Sequence, residues 1–118
     1  MGFLSRFFRR FTRSDEEVLA EETLLWASTV PGSVRISEAP LRSQVKLAGV
    51  VERITVRPTQ GFQALEAVLS DGTGEVTSVW LGRTSIRGLV LGSRVIVEGV
   101  LGEDHGVRRV VNPGYEFG

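Results

Sequence analysis

The sequence predicts an all-β fold, a small five-stranded barrel preceded by a short helical arm. Three observations predict it. Beyond Val34 the chain runs in short β-branched stretches punctuated by turn residues, and most of its fourteen glycines lie there. Strand-like stretches fall near 44–57, 62–70, 75–82, 93–101 and 107–112, five in all, where an immunoglobulin-like sandwich needs about seven. The chain has 118 residues and 12.9 kDa, which allows one hydrophobic core and no second domain of ordinary size.

The arm comes first. Phe3, Leu4, Phe7, Phe8 and Phe11 recur at spacings of three and four, with Arg6, Arg9, Arg10 and Arg13 largely on the opposite side, the pattern of a basic amphipathic helix. Three roles suit it: contact with an anionic membrane surface, contact with a nucleic-acid backbone, or docking on the barrel or on a protein partner. Ser14 followed by Glu17 is a capping-box spacing that starts a second helix running to about Ser28, with Val18, Leu19, Leu25 and Trp26 expected inward. Pro31-Gly32 ends it, so residues 1–30 are read as the arm and 31–118 as the barrel.

In the first strand Val45, Leu47 and Val51 share one parity and Ile54 and Val56 the other. The inward set therefore changes after Arg53, and with Gly49 this predicts a bulged, coiled strand able to serve two sheets. Asp71-Gly72-Thr73-Gly74 is a hairpin turn with glycines free to take positive φ and an Asp able to bond local amides. Residues 84–88, Thr-Ser-Ile-Arg-Gly, are expected to form a short helix between the third and fourth strands. Gly99 relieves crowding where the barrel bends. The order of five strands with a helix after the third describes an oligonucleotide/oligosaccharide-binding (OB) barrel, a five-stranded Greek-key barrel; an SH3-like barrel is the structural alternative.

Composition removes several function classes. Fourteen basic and fourteen acidic residues give no net charge, so any electrostatic case is local. It is indeed polarised: residues 1–13 carry four arginines and no acid, whereas Asp15, Glu16, Glu17, Glu21 and Glu22 follow at once. With no cysteine and one histidine, His105, disulfide scaffolds, thiolate catalysis and Cys/His zinc sites are excluded, and no cofactor or metal is expected. No G-x-S-x-G, phosphate-binding glycine loop or dinucleotide fingerprint is present, so a non-enzyme is expected. Neither a membrane span nor a secretory h-region is visible, which reads as a cytoplasmic protein.

The stretches Val45–Val51, Leu69-Ser-Asp-Gly-Thr-Gly-Glu-Val76, Gly92–Gly99 and Val111-Asn-Pro-Gly-Tyr-Glu116 together resemble OB-fold nucleic-acid-binding domains. They look most similar to the wedge domain of RecG-type DNA helicases and the anticodon-binding domains of some aminoacyl-tRNA synthetases. The resemblance covers about residues 34–118 and leaves the arm outside. It implies non-catalytic binding of single-stranded or branched nucleic acid, DNA or RNA, through the outer face of strands two and three and the loops joining strands one to two and four to five.

Those places name the candidates. In the loop Arg57–Phe62, Arg57, Gln60 and Phe62 suit a phosphate, a base edge and a base face, unless Phe62 closes the barrel. Trp80 is either a stacking platform or core, since both parities of its strand contain apolar residues. Arg83 and Arg87 flank the third connection, and Arg108 and Arg109 follow the loop Gly102–Gly106; all four are candidate phosphate contacts. Glu103 and Asp104 break the positive charge there, and His105 reads as a solvated turn residue. The other class of function is a protein-interaction adaptor held at a membrane or complex by the arm, favoured by a neutral apolar β2–β3 face.

Overall fold

In a computed structural model of the chain, the structure describes residues 14–118, and the arm residues Phe3, Arg6, Phe7, Phe8, Arg9, Arg10, Phe11 and Arg13 lie outside them. One helix, α1 (Asp15–Ser28), precedes a single 3₁₀ turn at Ile36–Glu38. Six strands follow: β1 (Gln44–Thr59), β2 (Phe62–Ser70), β3 (Glu75–Leu81), β4 (Arg94–Asp104), β5 (Val107–Val111) and β6 (Gly114–Phe117). β1 pairs with both β2 and β4, so the order β1-β2-β3-β5-β4 closes on itself as a five-stranded barrel; every pairing in the ring is antiparallel except β3–β5.

β1 serves both sides because it is long and bulged. Gln44–Val50 pair with Val100–Arg94 of β4, while Val50–Thr59 pair with Ser70–Phe62 of β2, and the register shifts between Val51 and Arg53. The extra residue, Glu52, is where the inward parity changes, one position before the place the apolar pattern indicated. Gly49 lies at the crossing: a Cβ there would stand 2.8 Å from the carbonyl oxygen of Ser70. At the opposite bend a Cβ on Gly99 would stand 2.7 Å from a Val110 methyl, so both glycines are required by close approach.

β6 continues β5 along β4. Leu101 faces Val110 and Glu98 faces Gly114, so one residue is inserted between the two segments at Asn112-Pro113, where Asn112 takes φ 50°. Asn112 stabilises the kink, its N–H donating to the Val79 carbonyl at 2.6 Å and its Oδ1 accepting from the Leu81 N–H at 2.9 Å.

The core gathers Leu47 and Val51 of β1, Leu65 and Leu69 of β2, Val76 and Trp80 of β3, Val95, Val97 and Leu101 of β4 and Val110 of β5, with Ile36, Ala39, Ile86 and Leu89 inserted from the connections. The expected helix between β3 and β4 is not formed. The backbone bond made there is a single turn, from the Leu89 N–H to the Ile86 carbonyl, and residues 82–93 make successive turns that still deliver Ile86 and Leu89 to the core.

Helix α1 begins at the expected cap, the Ser14 side chain accepting from the Glu17 N–H at 3.1 Å. Its inward face is not the expected one. Val18, Leu19 and Leu25 are exposed, and the buried residues are Thr23 and Ala27. The helix lies close to the β2–β3 turn, where a Cβ on Gly72 would stand 2.8 Å from the Ala20 carbonyl oxygen, and the small residues Thr23 and Ala27 are buried while Leu24 is half-buried beside them. Trp26 packs beside Gly118 and under the Arg94 guanidinium, 5.2 Å from its ring centre.

Candidate functional site

The outer face of β1, β2, β3 and β5 is read from the strand registers as three rows. Arg53, Val68, Thr77 and Arg109 form the first; Thr55, Glu66, Val79 and Val111 the second; Arg57, Ala64 and Leu81 the third. The alternation of a pleated strand puts these side chains on one side and Leu65, Leu69, Val76 and Trp80 in the core.

Two hairpin turns bound this face, and both are shorter than the loops expected. β1 and β2 run on until Thr59 faces Phe62, leaving only Gln60-Gly61 at φ 39° and 90°. β4 and β5 run on until Asp104 faces Val107, leaving His105-Gly106 at φ 51° and 80°. Positive φ at both turn residues is the geometry of a two-residue hairpin matched to strand twist. The face is consequently open, with low rims, and Arg57 stands on a strand instead of a loop.

Its charges are arranged as a chain. Arg57 Nε lies 3.1 Å from Glu66 Oε1, and the other oxygen of the same carboxylate lies 3.7 Å from Arg109 Nη2. Arg109 Nη1 is 3.6 Å from Asp104 Oδ2, and Asp104 Oδ1 is 3.4 Å from His105 Nε2. The chain crosses the sheet diagonally from one turn to the other. Arg53 stands apart from it at the end of the first row, on a groove of about 470 Å³ formed with Val68, Thr77, Thr73-Gly74 and Gly106. Beside it Glu52 faces Glu75; partial burial, and then the hydrogen bond and charge of Glu75, raise the Glu52 pKa above its ordinary value.

The candidate residues divide accordingly. Arg57 and Arg109 are on the face, and Phe62 stands at its rim, 44% exposed, so it does not close the barrel. Gln60 is exposed at the turn tip. Of the two readings of Trp80 the structure takes core: it is 4% exposed, its Nε1–H donates to the Pro113 carbonyl at 3.2 Å, and its ring meets Tyr115 edge-on at 5.7 Å. An indole so enclosed offers no surface to a base. Arg108 is half-buried on the groove beside Arg53, its guanidinium donating to the carbonyls of Ile36 and Ser37 and clamping the 3₁₀ turn to β5. Arg83 turns to the Tyr115 hydroxyl at 3.5 Å, and Arg87 is exposed on the β3–β4 connection, outside the three rows.

Two residues of the face, Arg53 and Glu66, were not singled out by sequence as site residues. The signal was present for Glu66: once Gln60-Gly61 is taken as a two-residue turn, Arg57 must face Ala64, and Glu66 falls diagonal to it.

No known protein family and no curated protein matches the sequence. Among solved structures the chain is similar to RecG bound to a three-way DNA junction, with a TM-score of 0.61 and 20% identity over 70% of this chain. That match spans only 12% of the RecG chain. It is also similar to a replication protein A heterotrimer bound to ssDNA, with a TM-score of 0.52 and 18% identity over 81% of this chain and 75% of that one. These likenesses and the closed β1-β2-β3-β5-β4 ring establish the fold as an OB barrel.

Proposed function

We propose that the protein is a non-catalytic module binding single-stranded or branched nucleic acid across the outer face of β1, β2, β3 and β5, in an accessory role in DNA or RNA metabolism. The observation that carries this reading is the placement of Arg53, Arg57 and Arg109 around one open face, with Phe62 exposed at its rim, between the two turns that flank the binding groove of OB barrels. Support also comes from the DNA held by the two similar structures. The arginines supply phosphate contacts, Phe62 a base-stacking surface, and the low rims admit a strand from either side.

A titration followed by fluorescence anisotropy tests it, with single-stranded DNA, single-stranded RNA and duplex of about 16 nucleotides, near the upper site size of one OB fold. Binding to single strands at low salt, weakened by Phe62→Ala and by Arg53→Ala, is the expected result. No binding even at low salt, where backbone contacts are strongest, overturns it.

A specific observation favours a second reading. Val100 and Val111, 60% and 52% exposed, line a groove of about 860 Å³ that runs from the Arg109 edge of this face onto β4 and also meets Glu98 and Glu103. A polypeptide-binding adaptor uses such a surface, with residues 1–13 as the element that holds it to a partner or an anionic membrane.

A further inference from the structure

Glu66 is the one carboxylate on the three rows of the face, and it bridges two of their three arginines, one through each oxygen. Its side chain is only 15% exposed, whereas that of Arg57 is 63% exposed. Asp104 repeats the arrangement at the rim, holding the other edge of the Arg109 guanidinium. Arginine presents to a carboxylate the same fork of donors that it presents to a phosphate. A phosphate approaching Arg57 or Arg109 therefore meets guanidinium edges already occupied by an anion of the protein.

We propose that Glu66, assisted by Asp104, stands in the free protein where backbone phosphates lie in the complex, so that a strand binds by exchanging these carboxylates for its own phosphates. The inference rests on the nucleic-acid reading above and assigns Glu66 as the residue that sets its strength. Exchange has two consequences. Glu66 loses its partners and is left beside a like charge, which lowers affinity. The arginines, neutralised beforehand by carboxylates, release fewer counterions than their number implies, which flattens the salt dependence. A bare polyanion offers nothing to offset the first penalty, whereas an unpaired base stacked on Phe62 does.

The test titrates wild type, Glu66→Gln, Asp104→Asn and Glu98→Gln with a single-stranded oligonucleotide at several salt concentrations. Glu98 lies on β4 outside the three rows, where it pairs with Lys46 at 3.8 Å and with neither Arg57 nor Arg109, and its substitution changes net charge by the same amount. Glu66→Gln is expected to bind about tenfold more tightly at low salt. Its log affinity against log salt should steepen by about 0.7, the contribution of one contact to a single strand, since one carboxylate is removed: Arg57 is freed and Arg109 keeps Asp104. Asp104→Asn, which frees one edge of Arg109 while Glu66 keeps the other, should steepen the slope in the same direction by less than about 0.7 and carries the test if Glu66→Gln fails to fold, as judged by thermal melting. If the wild type binds and neither variant changes affinity or slope, or if Glu98→Gln does as much as Glu66→Gln, the exchange is overturned and nucleic-acid binding stands. If neither the wild type nor any variant binds, the nucleic-acid reading itself falls.

Discussion

Single side chains fix this barrel at positions whose roles are opposite in sign. Asp71, 1% exposed, accepts from the N–H groups of Ile36, Thr73 and Gly74 and from the Thr73 hydroxyl, so one carboxylate ties the β2–β3 turn to the segment before β1. Asp71→Ala strands those buried donors and should lower stability by about 3 kcal/mol in urea unfolding. Ser78 is the reverse case: fully buried on the inner face of β3, its hydroxyl has no partner, and Ser78→Ala should raise stability by about 1 kcal/mol. Glu52 makes a pH-dependent case. Because its folded pKa is raised above the ordinary 4.5, the folded state binds the proton more tightly than the unfolded chain. The stabilising contribution is thus complete below 4.5 and lost as pH rises through the raised value. Glu52→Gln should therefore melt above the wild type at pH 7, and the difference should shrink as the buffer is taken down through the raised pKa.

Among elements, β1 carries the most structure, and its form was legible because a parity change in an apolar pattern has few other physical causes. The close approach at Gly49 makes a sharp expectation: Gly49→Ala drives a Cβ to 2.8 Å from a backbone oxygen that is itself held in the sheet, costing about 2 kcal/mol by chemical denaturation. The short helix after β3 was misread for a definite reason. Thr84–Gly88 has the composition of one helical turn, but Ile86 and Leu89 are both drawn into the core and the segment keeps only the turn from the Leu89 N–H to the Ile86 carbonyl, a choice made by packing that local composition does not carry. The inward face of α1 was misread because apolar size was taken as the guide, whereas the residues buried beside the close helix-to-turn contact are Thr23 and Ala27. That packing bears on the proposed division at Pro31. A chain beginning at Val34 loses Thr23, Ala27 and the Trp26–Arg94 contact, and should melt below a chain beginning at Ser14; equal melting temperatures would make α1 a dispensable appendage.

For the molecule as a whole, the site was harder to read than the fold, because a fold follows from repeated apolar spacing whereas a site follows from which strands become neighbours. Arg57 and Glu66 are nine positions apart in sequence, and Arg109 joins them only through the parallel β3–β5 pairing. The same balance of signs extends to the entire chain, whose net charge is zero only because residues 1–13 supply four arginines. A chain beginning at Ser14 therefore carries a net charge of −4, that is, fourteen acids against ten bases. On a net-negative barrel whose Arg57 and Arg109 are held by Glu66 and Asp104, long-range attraction to an anionic surface then rests on the arm, each basic residue near such a surface contributing about 1 kcal/mol. Full-length protein is expected to float with vesicles containing anionic lipid and to release them as salt is raised, whereas the chain beginning at Ser14 stays in the dense fraction with an unchanged melting curve. Oligonucleotide binding separates the two surfaces. If the arm only recruits, its removal lowers affinity for single strands and duplex by the same factor and leaves the preference between them intact, since that preference belongs to Phe62 and the open face. Equal flotation of both chains would remove the arm from any membrane role and leave docking on the barrel or a partner as its function.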